Sequence, residues 1–226
     1  AKALGRASLA YHRQMDELLR RQALLEVLIR RMVVGGRAPL AYQGIVRLAD
    51  GAVVGAEALL RVRGDSGVLV SPHEVFAAAD RAGRARDVGR LVLEAACQEA
   101  RRWSDALPER QLSVSVNISP EQFASPDIAE QVRAALDASQ LDPSRLCLEI
   151  SEKILLVDTE WSARQLALLK MLGVRLFADD YGAGHTSLVH LKRFPLDAIK
   201  IDLSLVAGLP DSPEDLAVVT ATMGVA

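Results

Sequence analysis

The spacing of apolar and polar residues changes period along this chain. Over residues 12–33 apolar side chains recur at helical spacing. Met15, Gln22 and Ile29 share one heptad position, and Leu18, Leu25 and Met32 share the other. The opposite face is rich in Arg and Glu, and Gly35-Gly36 marks the stop. About three heptads with a glutamine in the seam fit a short coiled coil, and fit equally a connecting helix packed on its own domain. From residue 40 the period shortens to two. The alternation predicts strands over 40–46 and 53–61, joined at Asp50-Gly51, and further strands over 112–117, 145–150, 174–179 and 198–202. Helical spacing and capping residues predict helices over 72–82, 87–103, 120–123, 127–139, 159–172 and 185–193, with Pro213 opening a last one.

From Glu57 onward, strands alternate with helices. That order implies parallel strands joined by right-handed crossovers. No Gly-x-Gly-x-x-Gly follows the first of them, so a dinucleotide-binding fold is not supported. The predicted fold class is α/β, a modified (β/α)8 TIM-like barrel with about six of its eight strands present, preceded by an N-terminal linker helix. The predicted division is 1–36 and 37–226. Both ends read as interior to a longer polypeptide, because Ala1 stands first and the apolar helical pattern over 216–226 has no stop signal.

Composition narrows the function classes. With 226 residues, half of them hydrophobic and a quarter charged, the chain has an ordinary globular make-up. Its net charge of −2 argues against a general nucleic-acid surface, while leaving room for one phosphate-bearing ligand. Cys97 and Cys147 sit among apolar residues and read as core thiols of a reducing compartment. No run reaches membrane-spanning length and no signal-peptide pattern opens the chain. The expectation is a cytoplasmic domain whose full-length protein could be anchored through upstream segments.

Barrels place their chemistry at the carboxyl ends of strands. Glu57, Asn117, Glu149, Asp179-Asp180 and Lys200 fall towards those ends on five successive strands. Carboxylates beside an amide oxygen suit a hard divalent ion such as Mg²⁺ or Mn²⁺. Two adjacent aspartates could share two ions about 3.5–4 Å apart, which suits phosphoryl transfer or hydrolysis. Lys200 could orient water or stabilise charge, or serve as a salt bridge to the acids. The four histidines form no zinc-type set, and no nucleophile motif is present.

These residues resemble the EAL domain family, the cyclic di-GMP phosphodiesterases. Glu57-Ala-Leu-Leu-Arg61 matches the signature. Gln43-Gly-Ile-Val, Asn117-Ile-Ser, Glu149-Ile-Ser-Glu152, Asp179-Asp180-Tyr-Gly-Ala-Gly184 and Lys200-Ile-Asp202 match further motifs in order, from about residue 38 to the end. The resemblance implies a domain that opens cyclic di-GMP to linear 5'-pGpG with Mg²⁺ or Mn²⁺. It implies Glu57, Asn117, Glu149 and Asp179 as metal ligands, with Asp180 serving a second metal. Glu57 and Lys200 become the catalytic pair, with Lys200 on the attacking water. Gln43 and Arg61 become nucleotide-binding residues. Glu152 becomes the brace of the loop after strand 5, a loop linked to dimerisation. The first residues resemble the last helix of a GGDEF domain, which makes residues 1–36 the end of that domain and an interdomain helix, and residues 37–226 the EAL domain.

The departures bear on activity. Ala183 stands where the family has Thr, Val62 stands where Trp usually follows the signature, and a usual His-Pro is absent. The family's two further strands carry a second-metal glutamate and a substrate-binding glutamine, and neither is in this sequence. The 226-residue segment alone is therefore expected to be inactive. Two functions remain from different classes: a phosphodiesterase, and an inactive cyclic di-GMP-binding module signalling through the linker helix or the loop after strand 5. The expected partners are cyclic di-GMP, a second copy through the EAL domain or linker helix, and a preceding GGDEF domain, with no nucleic acid.

Overall fold

Six strands hydrogen-bond in the order in which they occur in the chain. The structure, a computed structural model, describes residues 2–64, 67–182 and 191–224. Strand β1 (Leu40–Val46) runs antiparallel to β2 (Val53–Leu60). A tight turn joins them, in which Gly51 takes φ 70° and Asp50 Oδ1 accepts from the Ala52 N–H at 3.1 Å. Strands β3 (Ser113–Ile118), β4 (Leu146–Ser151), β5 (Arg175–Tyr181) and β6 (Ala198–Ile201) then add in parallel. The carboxyl ends of β2–β6 thus lie along one edge.

The period-two pattern divides the sheet into two faces. Ala58 and Leu60, Val114 and Val116, Leu148 and Ile150, and Leu176 and Ala178 are all buried on one face. They join one core with residues of helices α1 (Lys2–Gly35), α2 (Pro72–Arg81), α3 (Ala85–Ala106), α5 (Ile128–Ser139) and α7 (Thr159–Met171). Side chains between them in sequence, Glu57, Asn117, Glu149 and Asp179 among them, belong to the other face. Short helices follow three strand ends: α4 (Pro120–Phe123), α6 (Glu152–Val157) and α8 (Leu203–Val206). Helix α9 covers Pro213–Met223.

Helix α1 is longer than its heptad pattern predicts, and the pattern splits in two. Leu25, Ile29 and Met32 are buried in the core, whereas Met15, Leu18 and Gln22 are exposed. Arg21 ties its middle to α2, with Nε and Nη2 donating to Glu74 Oε1 at 3.0 and 2.6 Å. Glu74 in turn closes a capping box with Ser71 at the start of α2.

Two short elements escape the sequence pattern. Helix α6 has six residues, no side-chain cap bond and one buried apolar residue, Leu155, so it shows no helical period. Strand β5 runs to Tyr181, past the predicted end at Asp179, because pairing with β6 resumes at Tyr181↔Ile201 after a bulge. The helix predicted over 185–193 lies largely in 183–190, outside the described residues.

Candidate active site

Pairing register brings the predicted residues together. Residues opposite one another on neighbouring strands share a face. Gln43 stands opposite Glu57 across β1 and β2. Asn117 stands opposite Glu149, Glu149 opposite Phe177, and Phe177 opposite Ala198. One step of two residues towards the carboxyl end reaches Asp179 and Lys200 on that face.

The Lys200 ammonium is the centre of the cluster. Its Nζ lies 2.5 Å from Glu149 Oε2, 3.1 Å from Asp179 Oδ1 and 3.4 Å from Glu57 Oε2. Asn117 Nδ2 donates to Glu57 Oε1 at 2.7 Å, which fixes that carboxylate. The Glu149 side chain is fully buried, and its Oε1 has no hydrogen-bond partner. Burial pushes the Glu149 carboxyl up, against the opposing pull of Lys200. Burial pulls the Lys200 ammonium down, but the hydrogen bond and charge of Glu149, with Asp179 and Glu57, outweigh it and leave its pKa above the ordinary value. Lys200 is therefore a cation throughout the neutral range.

Asp180 reaches the site by a different route. Strict alternation would send it to the face opposite Asp179. The β5–β6 register shifts between Ala178 and Tyr181, and Asp180 adopts φ 58°. Aspartate tolerates this left-handed conformation better than most residues. Both aspartates consequently line one cleft of about 530 Å³. Burial raises the Asp180 pKa first, and the neighbouring charges of Asp179 and Asp202 add to it.

The cleft brings in residues with no sequence-predicted role. Pro72, His73 and Phe76 of α2 form one wall, Pro120 and Glu121 of α4 another, and Lys153 and Ile154 of α6 a third. A position just past a strand end is the signal that could have found Lys153. Asn117, Asp179 and Asp180 line this cleft, whereas Gln43, Glu57, Arg61, Glu149 and Lys200 lie outside its lining. Gln43 is exposed on the edge strand. Arg61 stands one residue past β2, with its N–H bonded to the Pro39 carbonyl at 2.8 Å and its guanidinium to the Leu60 carbonyl at 3.1 Å. Glu152 is buried at 2% exposure, and its charge raises the pKa of Tyr181 after the larger effect of burial. Its charge is thus felt at the last residue of β5, and residues 183–190 beyond lie outside the described set.

The donor chemistry fits a hard divalent ion. Carboxylate oxygens from three strands converge on one cationic point, and a buried oxygen of Glu149 is left over. Among the described residues no three His, Cys, Asp or Glu side chains surround a vacant point suited to a metal. The point on which these acids converge is taken by the ammonium.

The EAL domain profile matches residues 26–226, and the chain belongs to the EAL domain family. It is 35% identical over 198 residues to the bifunctional diguanylate cyclase/cyclic di-GMP phosphodiesterase MucR of Pseudomonas aeruginosa, covering 88% of this chain and 28% of MucR. It is 33% identical over 227 residues to the cyclic di-GMP phosphodiesterase NbdA of the same organism, covering 100% of this chain and 29% of NbdA. The chain thus spans under a third of the length of these curated relatives. The solved structure of the PaMucR phosphodiesterase in its c-di-GMP complex superposes with a TM-score of 0.80 at 33% identity, covering 89% of this chain and 81% of that one. The six-stranded sheet is accordingly a curled half of that family's TIM-like barrel. Among the described residues no helix is long and apolar enough to cross a membrane.

Proposed function

We propose that this domain is a divalent-metal-dependent phosphodiesterase that opens cyclic di-GMP to linear 5'-pGpG. The observation that carries the reading is the convergence of Glu57, Glu149 and Asp179 on one cationic centre at the carboxyl edge of the sheet. Glu57, Asn117, Glu149 and Asp179 would hold Mg²⁺ or Mn²⁺, and Asp180 would serve a second ion. When bound, such ions lower the pKa of a coordinated water and offset charge at phosphorus. Water oxygen bonds to phosphorus as the bond from phosphorus to the 3' oxygen breaks; one proton of the water ends on that leaving oxygen and the other is released to solvent. Lys200, hydrogen-bonded among the acids, would act as a cation. Its part is to orient the water and offset negative charge. Gln43 and Arg61 would contact the nucleotide, and Glu152 would brace the loop after β5. The natural setting would be a cytoplasmic signalling protein, dimeric through this domain or α1, with a GGDEF domain ahead of it.

The full-length protein with Mg²⁺ or Mn²⁺ is expected to convert cyclic di-GMP to pGpG, and Glu57→Ala to abolish conversion. Turnover without a divalent ion, or by the Glu57→Ala protein, would sink the mechanism. The ammonium at the centre of the acids favours a second reading, a module that binds cyclic di-GMP without cleaving it. Binding measured by calorimetry in the absence of any product would select it.

A further inference from the structure

The acid cluster makes this cleft electrically one-sided. Asp179, Asp180 and Glu121 line it, Glu57 and Glu149 stand next to Asp179 outside the lining, and Lys200 supplies one positive charge that Glu57, Glu149 and Asp179 already share. A cyclic dinucleotide brings two more negative charges, one on each phosphodiester. Anions are drawn into a cleft only where cations offset such a field. A metal held by the acids would serve the diester being cleaved. The other diester needs a cation of its own.

Lys153 is placed to be that cation. It is the one Lys or Arg among the described residues lining the 530 Å³ cleft. It stands in the first turn of α6, two residues past the end of β4, with an exposed side chain. No ion pair among the described residues engages it. Its charge is felt at the mouth of the cleft, where it opposes the burial-driven rise of the Asp180 pKa. Lys153 also lines a neighbouring apolar groove of about 660 Å³, so it stands on the ridge between two cavities rather than against a wall. A long flexible stem with three donors suits a phosphate that arrives from solvent.

We propose that Lys153 is a substrate-binding residue whose ammonium holds the uncleaved phosphodiester of the cyclic dinucleotide, turning the other diester towards Glu57, Glu149 and Asp179. This rests on the cyclic di-GMP reading above. Lys200 stays with the acids, and Lys153 stays with the ligand.

The test compares wild type, Lys153→Gln and Lys153→Arg in Mn²⁺-dependent cyclic di-GMP hydrolysis at several salt concentrations, with calorimetric binding in parallel. Lys153→Gln is expected to raise KM, or the dissociation constant if turnover is absent, about tenfold. It should leave kcat within about twofold, and Lys153→Arg should restore KM. The rise of KM with salt should be shallower in Lys153→Gln than in wild type. An active or binding wild type with an unchanged Lys153→Gln variant overturns the inference alone. So does a loss confined to kcat. A wild type that neither cleaves nor binds cyclic di-GMP overturns the functional reading and this inference with it.

Discussion

Asp179 and Asp180 are adjacent in sequence, and yet both line the same cleft. In a regular strand their side chains would point to opposite faces. The left-handed φ of 58° at Asp180, set in the β5–β6 bulge, cancels the alternation. Local backbone conformation, and not side-chain chemistry alone, makes the pair a pair.

That conformation separates stability from function at one position. Asp180→Ala should lower stability by about 1 kcal/mol, because alanine tolerates the left-handed region poorly. Asp180→Gly should keep or raise stability, since glycine adopts it freely. Both should raise the divalent-ion concentration needed for half-maximal turnover about tenfold. Urea unfolding and metal titrations of activity give the two readouts. Equal stability of the two variants would show that the backbone is not strained there.

Lys200 holds a buried carboxylate that has no other partner among the described residues. Lys200→Met should destabilise the fold by about 3 kcal/mol at pH 8. The penalty should shrink at pH 5. Burial, with the charges of Glu57 and Asp179 adding to it, then raises the Glu149 pKa in the folded state, so the native protein binds the proton before the unfolded chain does. Stability is therefore fully present below the ordinary carboxylate pKa and falls as pH rises through the raised value. Unfolding curves at the two pH values check the slope. A penalty that does not change with pH would place the cost elsewhere.

The α4 wall of the cleft depends on a glycine in α3. A Cβ at Gly89 would stand 1.9 Å from Nε2 of Gln122. Gln122 is 1% exposed and caps α4, its Oε1 accepting from the Ser119 N–H at 3.3 Å. Gly89→Ala should thus destabilise by about 1–3 kcal/mol through overpacking. Adding Gln122→Ala should recover part of the loss, and a double-mutant cycle by thermal unfolding measures the coupling. Additive costs would mean that the two residues do not compete for space.

The gathering of Glu57, Glu149, Asp179 and Lys200 was legible beforehand. In a parallel sheet, strand ends meet at one edge, and a period of two assigns each side chain its face. Asp180 reached the cleft for a reason the pattern does not contain, since alternation alone sends it away. Helix α6 left no trace because six residues are too few to show a helical period, and Lys153 was marked only by its place just past a strand end. The heptad seam of α1 was visible as a stripe, but its division into a buried half at Leu25, Ile29 and Met32 and an exposed half at Met15 and Leu18 depends on where the core ends. Length and spacing carry no such information.

The bond between Arg21 and Glu74 has its own pH signature. The hydrogen bond from Ser71 is the largest influence holding the Glu74 pKa below its ordinary value, and Arg21 adds to it. A depressed folded-state pKa means stability that is present above the unfolded value and lost as pH falls through the folded one. Glu74→Gln should speed hydrogen exchange in α1 around Arg21 at pH 7 and have little further effect at pH 3. Unchanged exchange at pH 7 would show that Leu25, Ile29 and Met32 hold the helix without help.

Helix α1 is one unbroken run of 34 residues, about 50 Å long. Leu25, Ile29 and Met32 anchor its second half in the core, and its middle is tied through Arg21 to Glu74 on α2. The same helix α2 supplies Pro72, His73 and Phe76 to the cleft. Helix α1 is thus joined, through its packing on α2 and the Arg21–Glu74 pair, to the element that walls the cleft. A change in how α1 lies would therefore reach the wall against which a ligand must lie.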